Sequence, residues 1–194
     1  MKADPTPWIL ARSSGLAAYL CLLSAVVVGT TVRSRPLGKA VKPAVATDLH
    51  RFTALMGLVA VALHGGALLL DSTVTIAPAD LVVPGRMSYR PLWTGAGVAA
   101  AELMLVVYVS FGLKRWIGRR AWRLLHWATY PLFVLATAHG IGSGTDTGRP
   151  WTTDLYLGAV SLVVLAISFR ALTASGRTRR ERPAGAHVRA RTAR

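Results

Sequence analysis

Four of the five histidines in this chain lie within or at the edge of long apolar runs: His50, His64, His126 and His139. Ionisable side chains held in an apolar membrane setting are expensive and generally functional. His50 and His64 are fourteen residues apart, and His126 and His139 thirteen. Along helices that rise about 1.5 Å per residue, these spacings are roughly 21 Å and 20 Å. If the two segments run in the same direction, His50 shares a level with His126, and His64 with His139. Each level then offers two imidazoles from two helices, which is the axial donor set of a low-spin haem iron. Two other readings of the same residues stand beside it: histidines that only pack and hydrogen-bond, and bare zinc, copper or iron sites. Against a bare ion, ligands roughly 20 Å apart cannot share one centre, and two histidines alone make an incomplete shell. The spacing contains one difficulty. Fourteen residues return nearly to the same helix face, but thirteen leave His126 and His139 offset by roughly 140°. Pro131 lies between them, and the expectation is that it distorts the helix and turns His139 towards the other pair.

These histidines need elements to carry them. Hydrophobic residues make up 53% of the 194 residues, and they gather into runs near the roughly 20 residues that span a bilayer as a helix. The reading is an all-α integral membrane bundle of five transmembrane helices, about 14–32, 50–70, 92–113, 121–140 and 154–173. Residues 1–173 form the haem-binding transmembrane domain, and 174–194 form a basic, disordered cytoplasmic tail. Two-residue alternation is absent, which argues against a membrane barrel.

The net charge of +15 would ordinarily raise nucleic-acid binding, but its placement points to topology and no nucleic-acid partner is expected. Arg33, Arg35, Lys39 and Lys42 precede the second run; Lys114, Arg115, Arg119 and Arg120 precede the fourth; seven arginines follow the fifth. The remaining loops carry acids beside their few bases, including Asp71, Asp80 and Asp146. Basic loops stay cytoplasmic, so the N-terminus is expected outside and the tail inside. His50 and His126 then lie near the cytoplasmic face of the plasma membrane, and His64 and His139 near the outer face. Cys21 is the single cysteine, so neither a disulfide framework nor a thiolate cluster is available.

The segments HRFTALMGLVAVALHG and WRLLHWATYPLFVLATAHGIGSGTD carry these spacings, and the chain resembles the ferric reductase-like transmembrane domain family over roughly residues 10–173. That family includes NADPH oxidases, ferric reductases and the haem membrane subunit of methionine-sulfoxide reductase systems. The resemblance implies two haem b groups, with His50 and His126 as metal ligands of the inner one and His64 and His139 of the outer. It implies electron transport from a cytoplasmic donor to an extracytoplasmic acceptor. The chain departs from the larger members in having five helices where six are usual and no flavin or nicotinamide domain. The donor is therefore expected to be a separate flavoprotein or a quinol, and no catalytic residue is assigned. A metal-handling or transporter membrane protein without haem is the alternative; it would need broken helices and a polar path near the midplane.

Several further residues are candidates. Arg51 and Arg123, beside the inner histidines, and Arg12, at the outer end of the first helix, suit haem propionates, although interface snorkelling explains them almost as well. Glu102 lies mid-helix and could accept a proton or meet a quinone. The glycines after His139 are expected to end their helix and let the chain pass close to a cofactor.

Overall fold

A computed structural model describes residues 4–32, 41–72 and 75–180, the last five by backbone alone. Among these the regular structure is entirely helical: α1 (Thr6–Thr31), α2 (Pro43–Leu70), a 3-10 turn (Pro78–Leu81), α3 (Pro91–Gly112), α4 (Lys114–Trp127), α5 (Thr129–Ser143) and α6 (Pro150–Arg180). Proline opens or nearly opens each long helix, as Pro7, Pro43, Pro91 and Pro150 show. There its fixed φ suits the helix and its missing N–H removes a donor that would have no partner anyway.

Four helices are long and apolar enough to cross a membrane: α1, α2, α3 and residues Pro150–Ser175 of α6. Each begins earlier than the hydropathy suggests, α1 by eight residues and α2 by seven, starting at the proline of its first turn and not at the first apolar residue. At its far end α6 keeps its helical path to Arg180, past the expected boundary at 173. Alanine and arginine propagate an established helix readily. The remainder of the expected tail, 181–194, and the bases Arg33, Arg35 and Lys39 lie outside the described residues.

The expected single helix over 121–140 is corrected to two. α4 and α5 meet at Ala128 (φ −61°, ψ −10°), whose N–H bonds back to the Leu125 carbonyl at 3.0 Å in a tightened final turn. Pro131 is the third residue of α5, so it has no N–H for the Trp127 carbonyl and its ring presses on that turn. The ladder resumes at once with Leu132 N–H to Ala128 O, 3.0 Å. The proline thus acts upstream of itself, at the seam.

The stretch before this seam, expected as a loop at 114–120, is helical and amphipathic. Arg115, Arg119, Arg120 and Arg123 are exposed together with Trp116, Leu124 and Trp127. Gly118, at φ 78° and ψ 162°, bends its path, a backbone conformation open to glycine. Bases and large apolar groups exposed side by side suit the membrane–water interface.

Helix α1 is central: it packs on α2, α5 and α6, while α3 packs on α5, α4 and α2. α2 and the α4–α5 segment therefore oppose each other across an interior walled by α1 and α3. Tyr19, Leu22, Met104, Leu132, Phe133 and Val163 form the buried core. Leu132 is 2% exposed. In lipid the transfer part of a truncation largely vanishes, because the surroundings are as apolar as the core. Leu132→Ala is therefore expected to destabilise by the cavity part alone, about 1–2 kcal/mol, read as a shifted unfolding midpoint in mixed micelles.

Candidate cofactor site: two pairs of histidines

The helix break brings the four histidines together as two pairs. His50 on α2 and His126 on α4 have ring centres 5.9 Å apart and planes at 74°. His64 on α2 and His139 on α5 have ring centres 6.2 Å apart and planes at 76°. On a continuous ideal helix His126 and His139 would diverge by roughly 140°; divided at Ala128, each faces α2 on its own terms.

Three of the four rings are held in the same way. The Nδ1 of His64 lies 2.7 Å from the Ala11 carbonyl, that of His50 2.8 Å from Ala25, and that of His139 3.0 Å from Trp93. In each case the residue four further along is a glycine on which the imidazole sits: Gly15, Gly29 and Gly97. A β-carbon built at these positions would meet the ring at 3.0, 3.0 and 2.5 Å. Without that carbon the ring comes close enough to reach a carbonyl of the preceding turn. Helix α1 runs antiparallel to α2, so glycines fourteen apart face histidines fourteen apart, Gly15 with His64 and Gly29 with His50.

This contact fixes the chemistry of the ring. A carbonyl only accepts, so Nδ1 carries the proton and donates it. In the neutral imidazole Nε2 is then the bare nitrogen, free to bind a metal, and the hydrogen bond at Nδ1 sets ring orientation and raises the basicity of the ligand. His126 is held differently. Its ring stacks on Trp122 of the preceding turn, centres 5.1 Å apart and planes at 21°.

The His64–His139 pair lines a cavity of about 700 Å³ that also meets Arg12, Tyr19, Met104 and Tyr156. That is ample for a ligand of drug size or larger. Around each pair the donor set is sparse: among the described residues no group of three or more His, Cys, Asp or Glu side chains converges. Two imidazoles about 2.0–2.1 Å from one metal have ring centres roughly 6 Å apart, close to the separations of both pairs. A metal there would need its other ligands from a non-protein group. A haem, whose macrocycle supplies four nitrogens and leaves two axial positions, fits the residues present.

Other sequence candidates are placed less centrally. Arg51 is exposed, with its guanidinium 4.9 Å from the Phe111 ring centre; Arg123 is exposed on α4. Arg12 borders the cavity and pairs with the buried Asp146, which Arg149 also approaches at 3.4 Å. Glu102 is exposed on α3 and does not line the cavity. Of the glycines after His139, Gly144 caps the end of α5 after Ser143, as expected, with its N–H on the Gly140 carbonyl at 3.1 Å, whereas Gly140 and Gly142 lie within the helix. Gly140 seats Tyr156, and Gly142 seats Trp93, the residue whose carbonyl receives His139. Sequence reasoning missed Gly15, Gly29, Gly97 and Trp122, although the fourteen-residue glycine spacing in α1 was there to be matched.

No curated protein and no solved structure matches the chain. The family model described as "Ferric reductase like transmembrane component" matches residues 14–137. The match takes in His50, His64 and His126 and ends two residues before His139. It covers well over half of the sequence, and its members commonly bind haem. With four apolar helices of spanning length and this match, the chain is a multi-pass membrane protein and belongs to the ferric reductase-like transmembrane component family.

Proposed function

We propose that this chain is a di-haem b-type cytochrome of the plasma membrane, carrying electrons from a cytoplasmic flavoprotein or a quinol to an extracytoplasmic acceptor. The observation that carries the reading is the pairing of imidazoles at two levels, with ring centres 5.9 and 6.2 Å apart and three of four Nδ1 atoms engaged by backbone carbonyls. The haem supplies reversible one-electron chemistry at its iron. The chain's own part is to hold and insulate. His50 and His126 are assigned to the inner group, and His64 and His139 to the outer. Ala11, Ala25 and Trp93 fix three of the rings, and Trp122 braces the fourth.

Orientation rests on charge. Lys114, Arg115, Arg119, Arg120 and Arg123 gather on interfacial α4 beside the His50–His126 level, which supports a cytoplasmic position for that end. The α4–α5 segment would supply the fifth crossing. α5 alone has 15 residues, about 22 Å of rise, and the last turns of α4 bring the path to the far interface. Between the two levels lie the buried apolar side chains of Leu132, Met104 and Phe133, a low-dielectric layer separating the two groups.

The test is the visible spectrum of the purified chain, air-oxidised and dithionite-reduced, with haem quantified against protein. A b-type spectrum with about two haems per chain is expected. Absence of haem after haem-replete expression would overturn the reading. The near-perpendicular ring planes add a sharper expectation, strongly anisotropic low-spin ferric EPR signals from both groups.

A further inference from the structure

Two buried side-chain polar atoms among the described residues lack a hydrogen-bond partner: Trp122 Nε1 and Ser143 Oγ. Their positions are related. Trp122 lies four residues before His126, and Ser143 four residues after His139. Each is one helical turn from a histidine, on the side away from the other pair. An indole N–H can only donate, and a hydroxyl in a dry site also seeks an acceptor. Leaving either unpaired is unfavourable, so a donor in this state marks where an acceptor belongs.

Positive charge accompanies both. Lys114 Nζ is 4.0 Å from the Trp122 ring centre and 5.8 Å from that of Phe111, over which Arg51 also lies. The ion pairs of the described residues join Arg12 and Arg149 to Asp146 and Arg86 to Asp80, and none engages Lys114 or Arg51. Ser143 shares the cavity wall with Arg12 and Asp146, a carboxylate that Arg12 and Arg149 both approach, so that two bases there face one acid. Between the two levels the situation is opposite. Leu132, Met104 and Phe133 are apolar, and the polar pair there, Tyr19 Oη and Thr137 Oγ1, is satisfied internally at 3.0 Å. A carboxylate directed to the midplane would find neither charge nor a free donor, at high cost.

We propose that Trp122 Nε1–H and Ser143 Oγ–H each donate a hydrogen bond to a carboxylate of the haem held by the adjacent histidine pair, so that the carboxylate edges of the two haems face opposite membrane surfaces. Lys114 and Arg51 balance the inner carboxylates, and the surplus charge of Arg12 and Arg149 over Asp146 the outer. This inference rests on the two-haem reading and goes beyond it by fixing how each group is turned within its pair. Trp122 thereby has two tasks, bracing His126 with its ring face and receiving the carboxylate with its ring edge.

The test uses the full chain in detergent, reconstituted with iron protoporphyrin IX or with its dimethyl ester, which keeps the macrocycle and lacks the anionic carboxylates. Haem loss to an excess of a haem-scavenging apoprotein is followed for each group. With the free acid, Trp122→Phe should speed loss of the inner haem about tenfold, and Ser143→Ala that of the outer haem about tenfold, as for loss of a charge-assisted hydrogen bond. With the ester, whose neutral carbonyl is a weaker acceptor, the difference between parent and variants should shrink well below that seen with the free acid. Unchanged rates with the free acid would overturn the proposal. So would differences that persist undiminished with the ester, because the side chains would then act on packing alone. A chain that takes up no haem by either route would instead overturn the two-haem reading itself, and this inference with it.

Discussion

Replacing His64 with alanine should leave a protein that binds about one haem instead of about two, with the spectrum and EPR signature of the inner group intact. His64 lines the cavity at one end of the bundle, and its Nδ1 is committed to the Ala11 carbonyl at 2.7 Å. Deleting the ring removes one of two imidazoles and leaves His139, 6.2 Å across the gap, without an opposite ligand. No neighbouring donor replaces it, since the described residues offer no third His, Cys, Asp or Glu at either pair. The inner level is insulated from the change by roughly 21 Å along α2 and by the packed layer around Leu132. Haem per chain after acid extraction, together with circular dichroism to show that the helices persist, makes the measurement. Retention of both groups would refute the assignment of His64. Loss of both from a folded chain would refute the independence of the two levels.

The sequence made the two levels legible because histidine is rare in apolar helices and its spacing converts directly into height. It also held a second, matching signal. Gly15 and Gly29 have the spacing of His64 and His50, and in an antiparallel pair of helices that match is a register. The small residue sits where the ring must enter, and the carbonyl four residues earlier is the one it exposes. The angular misfit of His126 and His139 is also legible, and Pro131 marks the segment in which the helix divides. The place of the break is not, because proline disturbs the turn before it, so the seam falls at Ala128 and not at the ring. Hydropathy likewise could not show that 114–120 is helical. Its charge resembles that of a loop, and only the alternation of arginine with Trp116, Leu124 and Trp127 marks an interfacial helix. The unpaired state of Trp122 and Ser143 depends on what surrounds them, which no local pattern encodes.

Gly97→Ala should weaken the outer site by about 10–100-fold in haem affinity, the range found when the groups orienting a metal-bound histidine are lost. The reason is geometric. A β-carbon at Gly97 would stand 2.5 Å from His139 Nδ1 and 2.7 Å from two carbons of the same ring. The imidazole is not the end of a flexible chain that can swing aside, because its Nδ1 is bound to Trp93 O at 3.0 Å. Relief therefore requires the ring to leave that carbonyl, and with it the orientation that presents Nε2. The corresponding contacts at Gly15 and Gly29 are 3.0 Å, where a shift of a few tenths of an ångström suffices. Gly15→Ala should weaken the outer site and Gly29→Ala the inner one, each by less than Gly97→Ala. Gly158 is the control: it is exposed on α6 with nothing within 4 Å of a built β-carbon. Its change to alanine should leave both sites untouched and stabilise the helix by about 0.5–1 kcal/mol. Haem titration of the four variants separates the explanations. If Gly97→Ala binds both groups as the parent does, the glycine is a packing convenience and not a seat for His139. If all three cradle variants lose both groups alike, they act by loosening the bundle. Only the graded pattern, outer for Gly97 and Gly15 and inner for Gly29, follows from rings seated one by one on the backbone of a neighbouring helix.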